Sequence, residues 1–68
     1  PPIMKVLAMR LNLVLDTDNA AFEGDQLGPE VSRILEEYAK KLVYSPTKNR
    51  ILRDINGNQV GGANWTDS

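Results

Sequence analysis

PEVSRILEEYAKKLV, from Pro29 to Val43, carries the strongest structural signal in the chain. Val31, Ile34, Leu35, Tyr38, Ala39 and Leu42 recur at spacings of three and four, which lines one face of a helix with apolar side chains. Pro29 suits a first helical position, Glu30 favours the positive end of the helix dipole, and Lys40 and Lys41 favour the negative end. Glu36 with Lys40, and Glu37 with Lys41, form i,i+4 pairs on the outer side. The spacing predicts a helix over about 29–43, stopped by Ser45-Pro46.

Outward from that helix the period changes. Between Val6 and Leu15 the apolar residues Leu7, Met9, Leu11, Leu13 and Leu15 take odd positions, with Arg10 and Asn12 between them, as in a half-buried strand. Ala8 and Val14 blur the outer face, as expected of a strand partly covered by a second subunit or a partner. Asp16 to Gly28 reads as a long loop with one helical turn at Asn19 to Phe22, capped by Asp18 and anchored by Phe22. Beyond the helix, Ile51-Leu52-Arg53-Asp54 and Asn58-Gln59-Val60 flank Ile55-Asn56-Gly57, which reads as a hairpin with Gly57 at positive φ. A three-residue loop with a glycine bulge is expected to set Leu52 opposite Val60. A two-residue turn would set Leu52 opposite Gly61. Gly61-Gly62 weaken the return strand, and Asn64 to Ser68 reads as a polar tail whose Trp65 either folds over the core or stands exposed.

The expected fold is therefore α+β, a single small β-α-β-β domain over residues 1–68 with one helix packed on a three-stranded sheet. With 68 residues, such a chain buries only about 60% of the surface it exposes unfolded, so self-association into a homodimer is a natural way to complete the core. Pro1-Pro2-Ile3 precede Met4 and read as vector-derived or upstream linker residues. The apolar stretches fall well short of the roughly 20 residues that span a bilayer, so no membrane is expected and the cytoplasm is the expected location.

Composition narrows the chemistry. There is no cysteine and no histidine, which removes disulfides, thiolate metal sites, cysteine nucleophiles and the commonest general base. Eight basic against nine acidic residues give a net charge of −1, which makes no strong case for nucleic acid. The charge is nevertheless two-ended: Asp16, Asp18, Glu23, Asp25 and Glu30 run without a base, and Lys40, Lys41, Lys48, Arg50 and Arg53 without an acid. The basic run suits a phosphate, a nucleotide or an acidic surface, and equally a helix C-terminus with a solvated linker.

Asp16-x-Asp18-Asn19 hints at a calcium loop, but an EF-hand counted from Asp16 puts Ala20 at a ligand position, Ala21 where glycine is needed and Leu27 where the bidentate glutamate belongs. Asp54-x-Asn56-Gly57-Asn58 has its glycine too early and is explained by hairpin chemistry. Neither a Walker loop nor a dinucleotide fingerprint occurs, so no metal and no cofactor is expected. An enzymatic alternative rests on Pro1: proteins of the tautomerase superfamily use an amino-terminal proline as a base, with Arg10 here available to hold a carboxylate substrate.

Three segments together resemble small uncharacterised proteins of phages and prophages: Asp16 to Glu23 (DTDNAAFE), Pro29 to Leu35 (PEVSRIL) and Leu52 to Gly61 (LRDINGNQVG). The resemblance implies a phage accessory protein in the cytoplasm of an infected host cell. It further implies a non-enzymatic binder that inhibits a host protein or sequesters a small anionic ligand, countering host defence. The residues to test are Asp16, Asp18, Asn19 and Phe22 on the acidic loop, with Arg50 and Arg53 at the hairpin. A structural role in the virion is the remaining alternative.

Overall fold

The computed structural model describes residues 8–67. Strand β1 (Met9–Leu15) is followed by two 3₁₀ turns (Ala20–Phe22 and Gly24–Gln26), helix α1 (Leu27–Tyr44), strand β2 (Arg50–Arg53) and strand β3 (Gln59–Asp67). The three strands form one antiparallel sheet in the order β1-β3-β2, so the last strand lies between the other two. The expected α+β architecture of one helix on a three-stranded sheet is the one observed. No helix among the described residues is long and apolar enough to cross a membrane.

The alternation read from Met9 to Leu15 is reproduced: Leu11, Leu13 and Leu15 face the core and Arg10, Asn12 and Val14 face away. Leu7 and the residues before it lie outside the described range. Helix α1 starts two residues earlier than expected because the second 3₁₀ turn runs straight into it. Pro29 thus falls third in the helix, still within the first turn, where a missing N–H breaks no intrahelical bond. The chain leaves the helix through Ser45-Pro46, with Thr47 at φ 65°. Ile34 and Tyr38 carry the helix into the core, where they meet Ala21, Phe22, Leu52, Val60 and Ala63.

Three local expectations need correction. The first 3₁₀ turn is capped by Asn19 and not by Asp18: the Asn19 Oδ1 accepts the Ala21 N–H at 2.8 Å. Asp18 instead donates its own N–H to Asp16 Oδ1 at 3.0 Å, an Asx turn that brings the chain out of β1. The hairpin has the expected three-residue loop with Gly57 at φ 86°, yet Leu52 lies opposite Gly61 and not Val60. A bulge between Leu52 and Arg53 leaves Val60 as the unpaired extra residue on β3. That extra residue turns the Val60 side chain inward beside Ala63, so the bulge adds a core residue at the loss of one rung.

The segment from Asn64 to Asp67 is no free tail, and Ser68 lies outside the described residues. Asn64, Trp65, Thr66 and Asp67 continue β3 and pair with Asn12, Leu11, Arg10 and Met9. Trp65 is half-buried on the core face, where its Nε1 donates to the Tyr38 hydroxyl at 3.1 Å, and its backbone N–H is taken by Asn49 Oδ1 at 2.7 Å. Nor is Gly61 a weak point: a Cβ there would collide with the Val14 carbonyl, so only glycine lets β1 and β3 approach this closely.

Candidate functional site

The hairpin loop is held by two buried carboxylates. Asp54 accepts the N–H groups of Asn56 and Asn58, both at 2.9 Å, on Oδ1, and the side-chain amides of Asn58 (3.1 Å) and Asn19 (3.3 Å) on Oδ2. Burial works against its ionisation, but these four donors together outweigh burial and hold the carboxyl below its ordinary value. Glu30, on the first turn of α1, receives the Arg33 guanidinium through two hydrogen bonds of 2.7 and 3.0 Å and the Ile55 N–H at 2.8 Å. The Arg33 bonds hold its carboxyl low against burial, and the Ile55 bond adds to them. Arg33 also reaches Glu37 at 3.0 Å and the Arg53 carbonyl at 3.3 Å. Helix, loop and hairpin are thereby locked, and every oxygen of the two buried carboxylates has a donor.

Next to this lock, a groove of about 310 Å³ runs between α1 and β2. Its helix wall is the row Arg33, Glu37 and Lys41, successive i,i+4 positions on the flank turned to β2. Its strand wall carries Arg50 and Arg53, with Leu52 and Tyr38 at the floor. Arg33 is spent on Glu30 and Glu37, whereas Lys41, Arg50 and Arg53 make no salt bridge among the described residues. Arg53 donates to the Gly57 carbonyl at 3.1 Å and has donors to spare. Arg50 is different: its Nε is buried and has no hydrogen-bond partner among the described residues. Four basic and two acidic side chains line the groove, an excess of positive charge.

The residues singled out from sequence are distributed unevenly around this site. Arg50 and Arg53 share the groove, as the basic run suggested, and Lys41, absent from that selection, completes it. The i,i+4 row that starts at Arg33 and ends at Lys41 was the available signal. Asn19 is tied to Asp54 at the base of the hairpin and acts as a brace. Phe22 is only 3% exposed and sits in the core, so it anchors the loop and presents no ring to a partner. Asp16 and Asp18 are exposed at the end of β1 and do not line the groove. Among the described residues no three carboxylates gather at one point. Arg10 is exposed on the outer face of β1, while Pro1 lies outside the described residues.

The chain was compared with protein families, curated proteins and solved structures, and matches none of them.

Proposed function

We propose that this chain is a non-enzymatic binding protein whose groove between α1 and β2 takes a small anionic ligand of the phosphate type. One observation carries the reading: Arg50, whose buried Nε has no partner among the described residues, lines a groove together with Lys41 and Arg53, and none of the three makes a salt bridge among those residues. A buried donor without an acceptor is disfavoured by about 1–3 kcal/mol, and an oxyanion in the groove supplies an acceptor towards which the Arg50 guanidinium can turn. The planar guanidinium suits a phosphate oxygen pair, and Lys41 adds a point charge from the facing helix.

The resemblance to small phage and prophage proteins supports a setting for this binding. In that setting the protein works in the infected cell's cytoplasm and sequesters an anionic ligand on which the host's defence depends. The chemistry asked of the groove is retention alone.

Titration with inorganic phosphate and then pyrophosphate, followed by amide shifts in ¹H–¹⁵N spectra, tests the reading. Shifts centred on Lys41, Arg50 and Arg53, weakened as salt screens the charges and abolished in the Lys41→Ala, Arg50→Met double variant, are expected. Shifts scattered over all lysines and arginines, or unaltered in the double variant, refute it.

A further inference from the structure

We propose that two copies of this chain join edge to edge through β1, antiparallel about a two-fold axis at Leu13, with Arg10 of each copy paired to Asp16 of the other. With β3 in the middle of the sheet, β1 has one edge that no strand among the described residues pairs with. Its pairing with β3 decides which groups face that edge. The Asp16 N–H donates to the Val60 carbonyl at 2.7 Å, and the Val14 carbonyl points at Gly61, so even-numbered residues direct their backbone groups to β3. By the alternation of an antiparallel ladder, Met9, Leu11, Leu13 and Leu15 direct theirs outward.

Nothing in β1 guards this edge. The strand has no proline, its register with β3 is unbroken by any bulge, and no charged side chain points inward. The inner row of Leu11, Leu13 and Leu15 is only partly buried. The reason lies in the placement of α1, whose polar flank of Arg33, Glu37 and Lys41 faces β2. The opposite flank is turned away from β2: Val31 packs at the margin of the core, while Leu35, 41% exposed, and Ala39 are left open.

A second copy fits because the strand is complementary to itself in one register. Outward-facing backbone groups must meet outward-facing backbone groups, so odd residues oppose odd residues. About Leu13, Leu11 opposes Leu15 of the second copy and Leu13 opposes its equivalent, which makes the middle of the inner face leucine on both sides. On the outer face the same register sets Arg10 opposite Asp16 twice. Asp16 is exposed and uses only Oδ1 in its own loop, so Oδ2 is open to a guanidinium. A register about Asn12 sets Arg10 against Val14 and pairs no charges. The contact is isologous and closes at two copies, giving a six-stranded sheet.

Sedimentation equilibrium of the full chain reads the dissociation constant. Arg10→Asp alone and Asp16→Arg alone should each weaken the dimer roughly tenfold by facing like charges, and the double exchange should restore it. The chain lacks cysteine, so Leu13→Cys should cross-link its two copies on oxidation, directly opposed residues in a hydrogen-bonded pair being about 5.5 Å apart at Cα. Asn12→Cys should cross-link far more slowly. A wild-type chain that stays monomeric at high concentration overturns the proposal, as does a dimer indifferent to both charge reversals. Faster cross-linking through Asn12 than through Leu13 overturns the register. The charge variants lie at exposed positions, so they remain informative if Leu13→Cys fails to fold.

Discussion

Two whole carboxylates and a single guanidinium nitrogen are drawn out of water around the hairpin, and they are treated in opposite ways. Glu30 and Asp54 are surrounded by donors, several of them backbone N–H groups of the hairpin loop. Arg50, a few residues before Asp54, has a buried Nε with nothing to donate to among the described residues. A fully answered charge is architecture, since its partners are used up in keeping the loop closed. An unanswered one is a stored preference for an acceptor from outside. The contrast separates groups that build the fold from the group that the fold leaves available.

The contrast can be broken hardest at Asp54. Asp54→Ala removes the acceptor of four hydrogen bonds, two of them from loop N–H groups, without adding bulk. The thermal midpoint should fall by roughly 10 °C or more in a domain this small, measured by circular dichroism. A fall of a degree or two would show that the loop closes without it.

Acid should act on the same lock. Both carboxyls titrate lower in the folded chain than their ordinary values of 4.5 for Glu30 and 3.8 for Asp54. The unfolded chain therefore takes up protons first, so their stabilisation is complete above those values and is lost as pH falls through the folded ones. Midpoints measured from pH 6 downward should hold and then drop below about 4.5, and Glu30→Gln should flatten the upper part of that drop. A drop identical in the Glu30→Gln variant would assign the acid sensitivity elsewhere.

The smallest effect on stability is expected where the largest effect on binding is. Arg50→Met keeps the apolar stem against the floor and deletes the unpartnered Nε. Its midpoint should match the wild type or exceed it by a degree or two, while phosphate-induced shifts disappear. A marked loss of stability would mean that Arg50 belongs with the carboxylates as architecture.

Periodicity made most of this fold readable. The i,i+3/i,i+4 stripe through Ile34 and Tyr38 and the alternation through Leu11 and Leu13 are local patterns, and both correspond to what is observed. What escaped was set by residues far apart in the chain. Trp65 reads as part of a polar tail until β1 supplies it with a strand to pair with and Tyr38 supplies an acceptor for its indole. Gly61 reads as a strand weakener until the Val14 carbonyl is found where its side chain would be. The Val60 bulge has no local signature, because its advantage is burial against a core that the hairpin alone does not contain. At the candidate site the basic run was legible as charge. The isolation of Arg50 was not, since it depends on Arg33 being already committed to Glu30 and Glu37.

The position of β3 between its two neighbours has a consequence for how the molecule is made. β1 and β2 never touch as strands, and the rungs joining β1 to β3 link residues from Leu15 and Gly61 to Met9 and Asp67, at opposite ends of the described chain. During synthesis the helix is complete before the hairpin, but no strand of the sheet finds its neighbour until the closing hairpin has left the ribosome. Such long loops close slowly, so the nascent polypeptide carries its leucine row uncovered until β3 arrives.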